Sequence, residues 1–240
     1  MTMEADCEAS QLIGEVVLPG DVIQVEGPFK LGPGLCLGDN QQQMAAIKGG
    51  ILRCRDRAND PRLYWLDTIE KRYVPAKGER VIGVIVARPA NFRVDIGAHV
   101  TANLSDVAFE GATKRNKPNL QVGDLVFAAV KTAHKHCEPE ITCVGASGKS
   151  EGLGPLKNGH VIECNLATCR RMLDGSSKLK EELSKHFHGF ECAVGLNGRI
   201  WLRSLNNKLT VAIATAIKEC AQLNDSNLAD YMQMYTDHLT

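Results

Sequence analysis

With 28 basic and 28 acidic side chains in 240 residues the chain carries no formal net charge, so bulk electrostatics marks neither a nucleic-acid binder nor a membrane-surface protein, and any such role must rest on local clusters. An apolar content of 44% supplies an ordinary core for one large domain or two to three small ones. No apolar run approaches the roughly 20 residues that span a bilayer, and the acidic start MTMEADCEAS has the marks of neither a signal peptide nor a transit peptide.

Residues 1–14 are expected to form a disordered tail. From 15 to 75 the chain reads as a small β domain of short strands divided by Gly/Pro turns. EGPFKLGPGL is its most turn-rich piece, and PRLYWLDTIEKRYVP adds aromatic-rich strands stopped by Pro75. Turn-then-strand units recur at PGDVIQV, KGERVIGVIVA, VGDLVFAAV and NGHVIECNL, with spacing too irregular for a solenoid.

Five strands are predicted next, over 79–88, 91–96, 99–104, 124–131 and 138–144, with one long polar connection at 110–119. That pattern suits a five-stranded OB barrel over 76–150, a fold whose faces and loops bind oligonucleotides. Within it, His134, His136, Cys137 and Cys143 cluster, but their spacing lacks the paired ligands of a zinc site, and no metal is expected. GASGKS at 145–150 resembles the end of a P-loop. Cys143 stands where the first Gly is required, so the segment is expected to be a linker.

After residue 158 the periodicity changes. A strand at HVIECNL is followed by helical spacing in ATCRRMLD and by a second helix in SSKLKEELSKHF, with Ser N-cap candidates. Two strands, FECAV and RIWLR, flank Asn197-Gly198; a long amphipathic helix and a last helix follow. Strand-helix-helix-strand-strand-helix is the order of a eukaryotic-type KH domain, assigned to 151–240. The fold class is therefore α+β and multidomain.

Gly195-Leu-Asn-Gly198 spells the G-x-x-G with which KH domains clamp nucleotides. It lies between two strands, however, whereas the clamp belongs between the first two helices, where 173–178 offers one Gly beside an Asp. Asn-Gly between alternating apolar residues predicts a two-residue hairpin, with Trp201 buried against a neighbour. Gly195, Asn197, Gly198 and Trp201 are thus expected to be structural.

LGPGL at 31–35, KRYVP at 71–75, LQVGDLV at 120–126 and VGLNGRIW at 194–201 resemble the S1/KH cap subunits of the eukaryotic RNA exosome, of the ribosomal-RNA-processing protein forty type. The likeness runs in order through residues 15–240. It implies an N-terminal β domain, a central OB domain of the S-one type and a C-terminal KH domain. It also implies a non-catalytic place, without cofactor, among cap subunits seated on a ring of RNase PH-like subunits, in nucleus, nucleolus and cytoplasm. The ligand implied is single-stranded RNA, bound without sequence dependence. In that family G-x-N-G ties the KH and OB domains.

In the OB context, Lys114, Arg115 and Lys117, with no acid between Gly111 and Gln121, are candidate phosphate contacts; a solvated loop is the alternative. The resemblance adds Phe92 and Arg93 as a stacking aromatic with a basic partner, and His99 as a further contact, although Phe92 could equally fill the barrel. An RNA-degrading enzyme would need a further domain with clustered carboxylates, for which the chain has no room left. A free-standing RNA-binding regulator is the other alternative.

Overall fold

The computed structural model describes residues 7–40, 42–57, 60–68, 70, 72–113, 115–134, 136–174, 178–221 and 227–237. Two compact units divide the chain, residues 1–69 and 70–240.

The first unit holds β1 (Cys7–Glu8), α1 (Ala9–Leu12), β2 (Val16–Val17), β3 (Val22–Gln24), β4 (Phe29–Leu31), β5 (Leu35–Leu37), β6 (Gln43–Ala46), β7 (Gly50–Arg57) and β8 (Asp60–Asp67). They form two four-stranded sheets, β1-β3-β6-β5 and β2-β7-β8-β4. Alternation along β8 sends Tyr64 and Leu66 inward to meet Ile23, Met44 and Leu52. The expectation of a disordered tail over 1–14 is corrected for residues 7–14: β1 pairs in parallel with β3, and Ala9 is buried. A two-residue strand and one helical turn have no periodicity to read, and their order comes from a partner strand distant in sequence. Residues 1–6 lie outside the described residues.

The second unit opens before the expected boundary at 75. Tyr73 belongs to the barrel core and donates its hydroxyl to Glu79 Oε2 at 2.6 Å. The barrel strands are β9 (Arg80–Ala87), β10 (Phe92–Asp95), β11 (Ala102–Leu104), β12 (Leu125–Thr132) and β13 (Glu140–Thr142). They run β13-β11-β10-β9-β12 and close through a β12–β13 pairing; β11–β13 is the parallel pair. This is the expected five-stranded OB barrel. A Cβ on Gly83 would stand 2.2 Å from Val94 Cγ1, so a bare backbone at that point lets Val94 fill the interior.

The expected linker at 145–150 and the KH boundary at 151 are corrected. β14 (Gly154–Leu156) adds to β12, and Leu153 is buried in the barrel core. The 145–150 loop is a closed turn, in which Gly145 N–H donates to Lys149 O at 2.7 Å.

The KH elements follow as β15 (His160–Glu163), α2 (Leu166–Leu173), α3 (Lys178–His186), β16 (Phe190–Val194), β17 (Arg199–Ser204) and α4 (Asn207–Cys220), with α5 (Leu228–Asp237) beyond them. The antiparallel sheet runs β15-β17-β16. Asn206 caps α4 by accepting from Lys208 N–H at 3.0 Å, and Ala212, Ile213, Ala216, Ile217 and Cys220 bury one helical stripe. The Ser176 and Ser177 cap candidates lie outside the described residues. Among the described residues no helix is long and apolar enough to cross a membrane. Cys36, Cys137, Cys143, Cys164, Cys169, Cys192 and Cys220 are thiols outside any disulfide. Burial pushes Cys143 and Cys169 up to about 12, so they pack as small apolar groups.

Gly159 leads into β15, and a Cβ there would stand 2.2 Å from Trp201 Nε1. Gly159→Ala is therefore expected to displace the indole and cost about 1–3 kcal/mol, as overpacking does. Chemical denaturation checks it, and an unchanged midpoint would show that the ring has room to move.

Candidate nucleic-acid interface

Strand alternation gives β17 two sets of neighbours. Ile200 and Leu202 enter the KH core beneath the helices, whereas Trp201, between them, joins the barrel core. Register sets Val161 and Ala193 on either side of Trp201, so the row Val161–Trp201–Ala193 packs against the barrel. The KH sheet is thus covered by its own helices on one face and by the barrel on the other.

The hairpin between β16 and β17 completes the junction. Gly195 N–H donates to Arg199 O at 2.8 Å, leaving residues 196–198 as the loop. This corrects the expected two-residue turn: Gly198 takes φ +79°, while Asn197 is not among the residues with positive φ. A three-residue loop needs the left-handed conformation only at its last position. Asn197 is thereby released from turn duty. Its Oδ1 accepts from Ile82 N–H at 3.1 Å, and its Nδ2 donates to Ile82 O at 2.8 Å and to Ile96 O at 2.9 Å. The buried carboxamide serves β9 and the residue just past β10 as a piece of backbone would. Leu196 N–H adds a bond to Arg80 O at 2.8 Å, and Arg199 donates to Asp95 O and to Asp95 Oδ2, each at 2.7 Å. Gly195 must be bare, since a Cβ would lie 2.3 Å from Asn197 Oδ1 and 2.8 Å from Ile82 N. Gly195, Asn197, Gly198 and Trp201 all lie at this junction between hairpin and barrel.

The candidate RNA contacts fare unevenly. Phe92 is fully buried, packs edge-on to Phe109 at 6.3 Å between centroids, and offers no face to a base; the stacking role is corrected. β10 alternates, and an aromatic at this register turns inward. Arg93, its neighbour, faces out and is ion-paired to Glu138. His99 is exposed in the connection between β10 and β11. Lys114 lies outside the described residues. Arg115 is exposed in the 110–119 connection. Lys117 is not a free cation: its Nζ sits 2.8 Å from Oδ2 of Asp106, a carboxylate side chain 8% exposed. The sequence window around the loop contains no acid, but the fold brings one from eleven residues upstream.

Arg88 escaped the sequence reading. It lies 4.7 Å over the Phe92 ring and 3.9 Å from Asp106 Oδ2, which holds a partly exposed guanidinium on the barrel beside the cationic connection. The acid that steadies it, Asp106, is contributed by another segment, so its local sequence does not signal the pair. Among the described residues no group of three or more His, Cys, Asp or Glu side chains is placed to hold a metal. Cys143 of the expected cluster is buried, with Sγ donating to Phe127 O.

Comparison with known proteins gives a consistent picture. The family model "Exosome complex component RRP40, S1 domain" matches residues 73–154, and a KH-domain model matches residues 159–208. The Schizosaccharomyces pombe exosome complex component rrp40 is 39% identical over 219 residues, covering 89% of each chain. The Saccharomyces cerevisiae RRP40 is 36% identical over 88% of this chain and 90% of its own. The Homo sapiens RRP40 is 32% identical over 90% of this chain and 88% of its own. A crystal structure described as an exosome complex RNA-binding protein superposes with TM-score 0.58 at 27% identity, covering 71% of this chain and all of that one.

Removing the Asn197 carboxamide leaves buried backbone groups of Ile82 and Ile96 unpaired. Asn197→Ala is expected to cost about 2–3 kcal/mol in urea denaturation; a loss below the error of the titration would mean that water replaces the amide. Burial acts to raise the Asp95 carboxyl, but the bonds from Arg199 and from Gly97 N–H outweigh it and hold the group below its ordinary 3.8. The stabilisation from this pairing is full above pH 3.8 and lost as pH falls through the lower folded-state value. The stability gap between the wild type and Asp95→Asn should therefore narrow in that acid window and stay constant above it.

Proposed function

The chain belongs to the RRP40 family of exosome complex components, and on that premise we propose that it is a non-catalytic RNA-binding cap subunit that guides single-stranded RNA toward 3'-to-5' processing and degradation. Its partners in this reading are RNase PH-like ring subunits and the other cap subunits, in nucleus, nucleolus and cytoplasm. The observation that carries the proposal is the use of the G-x-x-G hairpin: its Asn197 carboxamide and Leu196 N–H are occupied by the barrel, so RNA contact falls to the barrel's own loops. There Arg115 and Arg88 offer phosphate contacts, which position a strand without reading it. Both matched domain types are nucleic-acid-binding modules, which supports binding rather than chemistry as the role. Exposed Val16, Leu18, Leu37 and Ile47 in the first unit supply apolar surface of the kind that docks on protein partners.

A few cations on a neutral chain give modest, salt-dependent affinity for free RNA, so tight binding belongs to the assembled particle. In the reconstituted complex, Arg115→Ala is expected to leave the melting temperature unchanged and to lower the slope of log affinity against log salt by about 0.7, the share of one single-strand phosphate contact. Lys117→Ala should lower both, because it also leaves the buried Asp106 short of a partner. An unchanged salt slope in both variants would remove this loop from the RNA path. Size-exclusion chromatography of cell extract tests the assembly itself: the chain should elute with exosome subunits, and elution as a free 26.1 kDa protein would contradict it.

A further inference from the structure

We propose that a groove on the outer wall of the barrel, beside Arg93, is a base-selective nucleotide subsite that takes an amino-bearing nucleobase, adenine foremost, in preference to uracil. This rests on the RNA-binding reading above and adds a base preference to a contact otherwise led by phosphate.

The groove encloses about 470 Å³, within the range of small-ligand sites. Its position follows from strand alternation. Ala102 and Leu104 on β11 point into the barrel, so Asn103 points out, and register sets it between Arg93 on β10 and Glu140 on β13. Asn91, at the start of β10, and Lys131, near the end of β12, complete the polar rim. Val107, Ala108 and Val144 give an apolar wall against which the face of a base can lie.

Most polar groups in the groove are already occupied. Ser105 Oγ accepts from Val107 N–H at 3.5 Å, Thr142 Oγ1 exchanges bonds with the backbone of Val144, and Lys131 lies 3.8 Å from Glu140. The carboxamides of Asn91 and Asn103 are the exception: half-buried, they make no hydrogen bond to any other described residue. Half-buried amides with unused donors and acceptors are good places for a ligand edge, because pairing there recovers what desolvation has cost. A carboxamide presents one donor and one acceptor side by side, which matches N7 and N6–H₂ of adenine. The Lys131–Glu140 pair is long and exposed, so a ligand can part it: the Glu140 carboxylate then favours an exocyclic amino group and opposes the carbonyl-rich edge of uracil, and Lys131 turns to the adjoining phosphate. An unpaired strand can splay one base into such a groove; a duplex cannot.

The test compares equal-length oligoadenylate and oligouridylate binding to the full chain by fluorescence anisotropy at one fixed salt. The expected result is about tenfold tighter binding of the adenine strand, the lower part of the discrimination that one bidentate pair provides. Asn91→Ala with Asn103→Ala should bring the adenine strand to the uridine level without changing uridine binding or the melting temperature. Glu140→Gln, which keeps the shape, should narrow the preference by tightening uridine. Equal affinities in the wild type, or a preference that survives the double substitution, would overturn the subsite alone. Failure of both strands to bind would overturn the RNA-binding reading and the subsite with it.

Discussion

One carboxamide holds the second unit together. Asn197 reaches from the KH hairpin to the barrel and pairs with the backbone of Ile82 and Ile96. Everything nearby accommodates that reach. The loop has three residues, so that Asn197 need not adopt a left-handed conformation, and Gly195 carries no side chain that would strike the amide or Ile82. Arg199 grips Asp95 one strand over, and Trp201 fills the barrel core from the outer face of the KH sheet. A buried amide with all its bonds made specifies one arrangement, since any sliding of hairpin against barrel leaves polar groups unpaired.

Function follows from what this junction uses up. A glycine-rich hairpin with free N–H groups can receive phosphate; here Leu196 and Gly195 donate to backbone carbonyls, and Asn197 is spent on the barrel. The KH domain acts as a buttress, and the barrel keeps its outer wall and its 110–119 connection for other contacts. Those contacts are themselves shaped by ion pairing. Asp106 neutralises Lys117 and steadies Arg88, and Glu138 occupies Arg93.

Much of the fold was legible locally. Period-two runs located each barrel strand to within a few residues, and the switch to helical spacing after residue 158 revealed the KH order. What stayed hidden depends on non-local pairing. Residues 7–14, Tyr73 and residues 153–156 fall outside the sequence-read boundaries because each is placed by a strand or core distant in sequence. Phe92 was misread because an alternating strand does not say which of its faces is inside. The Lys117 pair is hidden from the sequence because its acid, Asp106, lies outside the local window, and the Arg88–Asp106 approach is hidden for the same reason. The turn chemistry of Asn-Gly correctly located the hairpin but not its length, since that is fixed by what Asn197 does across the domain junction.

Amide hydrogen exchange with and without single-stranded RNA tests the central claim most directly. If the hairpin is structural, Leu196 and Ile82 exchange as slowly as the barrel core in both conditions, and new protection on adding RNA appears on the barrel, at residues 103–119. Fast exchange at 195–198 in the free protein, turning to protection on adding RNA, would mean that this hairpin is a nucleotide clamp after all.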